Sequence, residues 1–106
     1  MSYRFMRILC FFDLPVETPE DRRNYRAFRR LLINNGFMMM QKSVYCKLMT
    51  TSSVEASVKR FIRENKPPEG VIQLLTVTEK QFSRMEFVIG RSTGDLVDSE
   101  ERLVIL

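Results

Sequence analysis

The stretch YRFMRILCFFDLPVETPED, residues 3 to 21, contains a strand followed at once by the start of a helix, and this pairing decides the fold. Over residues 3–12 an extended chain carries apolar side chains on both faces, interrupted by Arg7, which predicts a central strand covered on both sides. One face carries Met6, Ile8, Cys10 and Phe12, and the other carries Phe5, Leu9 and Phe11. The strand ends at a single carboxylate, Asp13.

The residues that follow predict a helix with clear ends. Thr18 is a suitable N-cap, and Pro19 suits the first helical position. Glu20 and Asp21 lie in the first turn, where the helix dipole favours negative charge. Gly36 is a natural terminator, because glycine is favoured just past the end of a helix.

Two stripes of side chains repeat along this helix at the spacing of successive turns. The apolar stripe contains Tyr25, Phe28 and Leu32, and the basic stripe contains Arg22, Arg26 and Arg29, flanked by Arg23 and Arg30. We expect the two stripes on roughly opposite sides, so that one face packs and the other is strongly cationic. Such a cationic face can simply be solvated, or its guanidinium groups can bind phosphates of a nucleic acid.

Further elements follow the first helix. Residues 37–49 alternate from Met40 onward, which predicts one long strand, or two short strands joined by a kink or tight turn near Gln41 to Ser43. A second helix is indicated by the capping-box spacing of Ser52 and Glu55. It must end before the proline pair that follows, since proline interrupts helices.

Three later stretches are strand-like, at residues 71–78, 85–89 and 102–106, and an acidic loop is predicted at residues 94–101. The order of elements predicts the α+β class, as a ferredoxin-like βαββαβ sandwich with both helices on one face of the sheet. We expect a single domain over residues 1–106, with a core at about 1–80 and a C-terminal extension at about 81–106.

This architecture leaves one face of the sheet uncovered and gives the final strand no place in the sheet. That strand contains Leu103, Val104, Ile105 and Leu106. A homodimer in which the strand adds to the sheet of the partner protomer would solve both problems, so we expect these residues at a dimer interface.

The composition is that of an ordered globular chain, with 44% hydrophobic and 28% charged residues. No apolar run approaches the roughly 20 residues of a membrane span, and the N-terminus lacks the pattern of a signal peptide. We therefore expect a cytoplasmic protein without membrane contact. Cys10 and Cys46 lie within apolar patterns, which predicts core thiols rather than a disulfide or a metal-binding pair.

The charge and the missing histidine limit the possible functions. With 17 basic and 13 acidic residues the net charge is +4 and the pI is near 9.4, which makes a polyanionic partner plausible. The absence of histidine excludes Ser-His-Asp and Cys-His catalysis, His-ligated zinc and an imidazole base from this chain. Hydrolysis would depend on carboxylates, on metal-bound water or on a partner.

The carboxylate of Asp13 has two interpretations from the sequence. It can accept backbone hydrogen bonds in a turn at the strand exit. It can instead be a ligand for Mg²⁺ or Mn²⁺, which prefer carboxylates and water. One carboxylate is a small ligand set for an ion that must polarise a phosphodiester. A two-fold dimer would supply a second Asp13 if the strand end lay near the axis.

Several of these features together resemble a known family. Phe12 and Asp13 end the first strand, an arginine-rich helix closes at Gly36, and the motif Gln41-Lys42-Ser43-Val44-Tyr45 follows. This arrangement is similar to the small CRISPR-associated protein, number two in the nomenclature, of the spacer-acquisition complex. The length and the ending EERLVIL are most similar to the versions that accompany type II systems.

The resemblance implies a ferredoxin-like homodimer with C-terminal strands packed on the partner protomer. It implies that Asp13 is the catalytic residue, faces its dimer mate and binds a divalent metal, usually Mg²⁺, for endonuclease activity on RNA or DNA. It also implies a bridging role in CRISPR adaptation, with the integrase, CRISPR-associated protein number one, and double-stranded DNA as partners. The resemblance also implies DNA contact for Arg22, Arg23 and Arg26, which match the family's basic region. We add Arg29 to the predicted nucleic-acid contacts because it lies in the same basic stripe.

Three functions are open at this point. Paired Asp13 carboxylates could hold one Mg²⁺ for an endonuclease. The dimer could instead be a scaffold without chemistry, which binds duplex phosphates and the integrase. A toxin-like endoribonuclease shares much of this design, although the motif from Gln41 to Tyr45 argues against it. The segment Leu14 to Glu17 replaces the short polar turn of many family members, so we expect a longer or stiffer loop after Asp13.

Overall fold

The computed structural model describes residues 5–91, which form four strands and three helices. The strands are β1 (Met6–Asp13), β2 (Met38–Gln41), β3 (Val44–Met49) and β4 (Val71–Thr78), and the helices are α1 (Pro19–Asn34), α2 (Ser52–Glu64) and α3 (Glu79–Ser83). All strand pairs are antiparallel, in the order β2-β3-β1-β4. The predicted ferredoxin-like α+β fold is therefore confirmed, with β1 in the centre of the sheet.

Helices α1 and α2 pack on one face of the sheet, as the sequence predicts. The buried residues of this layer are Ile8, Cys10, Phe12, Leu14, Phe28, Leu32, Phe37, Tyr45, Met49 and Ile62. Their removal from water is the main force that holds the helices on the sheet. Both cysteines are free and buried, as expected. Burial raises the pKa of Cys10 to about 12, so its thiol stays protonated and unreactive near neutral pH.

An aromatic group at the end of β1 fixes the position of α1. The ring of Phe12 lies 5.2 Å from that of Phe28 and 5.8 Å from that of Tyr25, both edge-on, measured between centroids. Tyr45 of β3 lies 5.6 Å from Phe12 on the same side of the sheet. Such pairs contribute about 0.5–1.5 kcal/mol each beyond the burial of their surface. Because Phe12 immediately precedes Asp13, this group also holds α1 near the carboxylate.

Helix α2 begins with a different cap from the predicted one. The Oγ1 of Thr51 accepts a hydrogen bond from the backbone N–H of Val54 at 3.3 Å, so Thr51 is the N-cap and Ser52 is the first helical residue. Glu55 does not complete a capping box. Its carboxylate accepts a hydrogen bond from Thr76 of β4 at 2.9 Å, a contact between distant segments that the local pattern could not reveal.

The strand predicted at residues 85–89 is not formed, and a short helix directly follows β4 instead. Thr78 and Gln81 form a capping box that begins α3: the N–H of Gln81 donates to the Thr78 hydroxyl at 3.0 Å, and the N–H of Thr78 donates to the Gln81 side chain at 2.9 Å. The residues after α3 are exposed and carry no strand. The loop predicted at 94–101 and the strand predicted at 102–106 lie outside the described residues.

Helix α3 lies on the face of the sheet opposite α1 and α2, where Arg7 holds it. The Nε of Arg7 donates to both carboxylate oxygens of Glu79, at 3.0 and 3.1 Å. Its guanidinium lies 4.3 Å from the ring centroid of Phe82, and its Nη1 donates to the sulfur of Cys46 at 3.6 Å. This contact explains the arginine within an apolar strand. The short helix leaves much of this face open, since Leu75 is 50% exposed.

Gly70 allows the start of β4 to approach the end of β1. Its φ is +111°, and an added Cβ would lie 2.6 Å from Cδ2 of Leu14 and 2.8 Å from the carbonyl oxygen of Asp13. We expect Gly70→Ala to lower the free energy of unfolding by about 1–3 kcal/mol, since the backbone is strained and the clash involves fixed backbone. Urea unfolding measures this loss.

The matched control for this substitution is Gly90→Ala. Gly90 also has a positive φ, +87°, but nothing lies within 4 Å of an added carbon. We expect a smaller loss in this variant, because only the backbone conformation is penalised. Equal losses in the two variants would contradict the importance of the close approach at Gly70.

Candidate nucleic-acid groove at the end of β1

Asp13 is the last residue of β1, and its backbone pairs with Val71 of β4. Its side chain is exposed and forms no hydrogen bond or ion pair within residues 5–91. The interpretation of Asp13 as a turn residue required its carboxylate to accept backbone hydrogen bonds, so for this part of the chain that interpretation is wrong. Asp13 is a free carboxylate, held in place by strand pairing and by the buried Leu14 that follows.

An open groove with a volume of about 420 Å³ includes Asp13 in its wall. The residues that line it are Asp13, Leu14, Val16, Arg22, Tyr25, Arg26, Lys42 and Ser43. Three of these side chains are cationic and one is anionic, so the groove has a net positive charge. A concave surface of this charge attracts phosphate groups.

Arg22 stiffens the loop between β1 and α1. Its Nη1 donates to the carbonyl oxygens of Val16 and Glu17, at 2.9 and 3.1 Å. The loop from Leu14 to Glu17 is therefore tied to the first turn of α1. The Nε and Nη2 atoms of Arg22 form no hydrogen bond with the described part of the chain, so they are available to a ligand.

The basic stripe of α1 does not lie opposite the apolar stripe, as we expected from the sequence, but flanks it. Arg22 and Arg26 line the same groove as Tyr25 of the apolar stripe. Successive residues of an α-helix are rotated by about 100° around its axis. Two stripes that are offset by one residue therefore lie about a quarter of a turn apart, not half a turn. The expectation of opposite faces is therefore wrong. Arg23 and Arg30 are exposed and have no partner within residues 5–91.

Arg29, the third arginine of the basic stripe, has a structural contact. Its Nε donates to the hydroxyl oxygen of Tyr45 at 2.8 Å, and Tyr45 is completely buried. A buried polar group without a partner costs about 1–3 kcal/mol, so this hydrogen bond stabilises the fold. Contact of Arg29 with nucleic acid stays a prediction, as does that of Arg23.

The turn between β2 and β3 brings Lys42 and Ser43 to the groove, which we did not predict from the sequence. The backbone N–H of Phe12 donates to the carbonyl oxygen of Ser43 at 3.1 Å. The hydroxyl of Tyr25 donates to the carbonyl oxygen of Lys42 at 3.4 Å. Since β2 ends at Gln41 and β3 begins at Val44, the tight turn considered near Gln41 to Ser43 is confirmed. Combined with antiparallel pairing to β1, that turn was the signal that could have placed Lys42 beside Asp13.

A second groove, with a volume of about 290 Å³, borders the same loop and has the opposite charge. The residues that line it are Leu14, Pro15, Glu20, Asp21, Asn24, Pro67, Pro68 and Glu69. It has three carboxylates and no cationic side chain, so it repels polyanions. Of these two grooves, the one beside Asp13 is therefore the more favourable to a polyanion.

A complete metal site is not present in one described protomer. Residues 5–91 contain no group of three or more acidic, cysteine or histidine residues that could hold a metal ion. Asp13 is thus a single candidate ligand. The predicted dimer-interface residues at 103–106 lie outside the described part of the chain, so the pairing of two Asp13 side chains stays a prediction.

The sheet order, the helix packing and the groove define a small ferredoxin-like protein with a cationic site beside a strand-terminal carboxylate. A family model described as CRISPR associated protein Cas2 matches residues 6–85. The chain belongs to this family, as its motifs suggested. The type II version of the family stays a prediction. Among the described residues, no helix has both the length and the apolarity needed to cross a membrane.

Known relatives are similar over nearly their whole length. The chain is 52% identical to a protein of Treponema denticola named CRISPR-associated endoribonuclease Cas2, over 95% of this chain and 100% of the relative. Proteins of the same name from Lacticaseibacillus rhamnosus and Streptococcus mutans are 46% and 45% identical, over 95% of this chain and 100% and 93% of theirs. A solved structure described as "Crystal structure of cas2" has a TM-score of 0.62 at 14% identity, covers 88% of this chain and 95% of its own, and supports the fold alone.

Proposed function

We propose that this chain is a CRISPR-associated endonuclease that acts on phosphodiester bonds in the groove beside Asp13. One observation carries the proposal: a free carboxylate shares a groove with three cationic side chains. Relatives between 45% and 52% identical are named endoribonucleases, which supports RNA as a substrate, with DNA as the alternative. These names give no support to the toxin-like alternative.

We further infer that the cofactor is Mg²⁺ or Mn²⁺, with Asp13 of two protomers as its protein ligands. The donor chemistry fits, because Mg²⁺ in phosphate-handling sites takes one or two carboxylates and keeps several waters. The exposed carboxylate of Asp13 has no competing partner within residues 5–91. A bound ion would supply Lewis-acid polarisation and an acidified water.

In this proposal the two arginines of the groove, Arg22 and Arg26, bind and orient the nucleic-acid strand. Arg26 is exposed and has no partner in the described chain, so its guanidinium can donate two parallel hydrogen bonds to one phosphate. Arg22 adds positive charge while its Nη1 keeps the loop in place. This charge offsets the repulsion between the Asp13 carboxylate and the phosphates that must approach it.

We also propose a role in CRISPR adaptation, as a homodimer that joins integrase subunits, CRISPR-associated protein number one, on double-stranded DNA. Membership of the family supports this role. The sheet face that α3 leaves open supports dimerisation, since Val71 and Leu75 are 54% and 50% exposed there and apolar patches of this kind mark interfaces.

A scaffold without chemistry is the second candidate, favoured by the single carboxylate of the groove. A spacer-acquisition assay separates the candidates. Full acquisition by Asp13→Ala, with loss when Arg22, Arg23 and Arg26 are all changed to Glu, would favour the scaffold. Loss in Asp13→Ala would favour the nuclease.

Removal of divalent metal is expected to reduce cleavage to background. Purified protein in EDTA should leave single-stranded RNA and duplex DNA intact, and excess Mg²⁺ should restore cleavage, because the chain has no histidine and the Asp13 carboxylate is proposed to bind the ion that activates water. Product formation on denaturing gels measures the rate, and EDTA already saturated with Mg²⁺ is the control. Unchanged cleavage in free EDTA would contradict the proposed cofactor.

A further inference from the structure

We propose that Lys42 is a phosphate-binding residue of the Asp13 groove and that Tyr25 positions it. This inference rests on the proposed function, because it assigns a residue that holds the substrate backbone beside Asp13. The ligand chemistry is the phosphodiester backbone that RNA and DNA share. Lys42 belongs to neither the strand that carries Asp13 nor the helix that carries the arginines, so it adds a third element to the site.

The charge of Lys42 is available to a ligand. Its side chain is exposed and lines the groove, and it forms no hydrogen bond or ion pair within residues 5–91. Arg26 lines the same groove from α1. Cations on two separate elements can therefore bind the same stretch of backbone, with Asp13 as the only carboxylate among the groove residues.

The backbone that carries Lys42 is fixed from two sides. The hydroxyl of Tyr25 donates a long hydrogen bond to its carbonyl oxygen at 3.4 Å, and the neighbouring carbonyl of Ser43 accepts from Phe12 at 3.1 Å. Tyr25 is itself held by its ring contact with Phe12. Lysine is a flexible point charge, so a defined contact with phosphate depends on how firmly its backbone is placed. Tyr25 therefore acts on the nucleic acid through Lys42.

The test measures binding without cleavage, by fluorescence anisotropy in EDTA over a series of salt concentrations. The probes are labelled single-stranded RNA, single-stranded DNA and duplex DNA of one sequence. For Lys42→Gln we expect weaker binding and a plot of log K against log salt that is shallower by about 0.7 for single strands or about 0.9 for duplex, the share of one phosphate contact.

Lys80→Gln is the matched control, because the side chain of Lys80 is also exposed and without a partner in the described chain but lies on α3, away from the groove. The two substitutions change the net charge equally. A shallower slope in Lys42→Gln alone, with any of the three probes, supports the site and identifies the backbone that it takes. The same slope in both variants, with every probe, overturns the assignment of Lys42.

The positioning role of Tyr25 is tested by Tyr25→Phe, which removes the hydroxyl and keeps the ring. We expect this change to weaken binding in the wild-type protein and to have no effect in the Lys42→Gln background. An equal effect in both backgrounds overturns the role. All these binding measurements are made in EDTA, where no cleavage is expected. A negative result for Lys42 or Tyr25 would therefore not count against the endonuclease proposal, and a lack of nuclease activity would not change the binding results.

Discussion

Asp13→Asn is expected to lower the rate of nucleic-acid cleavage by about 100-fold or more, since loss of residues that merely support metal ligands already costs about 10–100-fold. Asparagine keeps the shape of the side chain but removes the negative charge that a hard divalent ion requires. Asp13 is exposed and makes no side-chain contact with the described chain, so the fold should be unaffected. Substitution should therefore separate catalysis from stability.

Single-turnover cleavage of labelled RNA and duplex DNA in Mg²⁺ measures the rate, and urea unfolding checks the fold. Glu69→Gln is the matched control, because it makes the same change in charge in the acidic groove on the other side of the loop. We expect it to cleave like the wild type. Cleavage by Asp13→Asn at the wild-type rate would end the enzymatic proposal and favour the scaffold.

Phe12→Ala is expected to lower the free energy of unfolding by about 3–5 kcal/mol, the range for large aromatic side chains in a core. Phe12 is 4% exposed and its ring contacts those of Tyr25, Phe28 and Tyr45. The substitution removes all three contacts and leaves a cavity between β1 and α1. Since small domains are stable by only about 5–15 kcal/mol, much of the protein is expected to unfold on mild warming.

Thermal and urea unfolding measure this loss against two controls. Phe12→Leu keeps most of the volume and should cost less than about 1.5 kcal/mol. Phe87→Ala removes a ring that is 52% exposed and should change stability by no more than about 0.5 kcal/mol. If Phe12→Ala lost no more stability than Phe87→Ala, the aromatic group would not be what holds α1 on the sheet.

The elements with strong local signals could be predicted from the sequence. Apolar side chains on both faces identified β1 as central, which its pairing with β3 and β4 confirms. Thr18 caps α1 as predicted: its hydroxyl accepts from the N–H of Asp21 at 3.0 Å, and the Asp21 carboxylate accepts from the N–H of Thr18 at 3.2 Å. These signals lie within a few residues of one another, so they need no knowledge of the tertiary fold.

The capping box of α3 has a local signature at Thr78 and Gln81 that the sequence analysis overlooked. The features that join distant segments could not be predicted from local signals at all. Glu55 accepts a hydrogen bond from Thr76, which lies 21 residues further along the chain. Arg7 donates to Glu79, which lies 72 residues further along. The groove depends in the same way on the register that brings the β2–β3 turn to the end of β1. Asp13 could be selected from the sequence alone, whereas the placement of Lys42 beside it also required the antiparallel pairing of β3 with β1.

The loop after β1 separates a cationic groove from an acidic one, and this has a kinetic consequence. Charges within about 8 Å of an approaching polyanion act before any contact is made at physiological ionic strength. If the protein binds nucleic acid as proposed, attraction on the Asp13 side and repulsion on the Glu69 side would turn the approaching strand as well as draw it in. The strand would then arrive in one preferred orientation, and we expect this charge asymmetry to speed association most at low ionic strength.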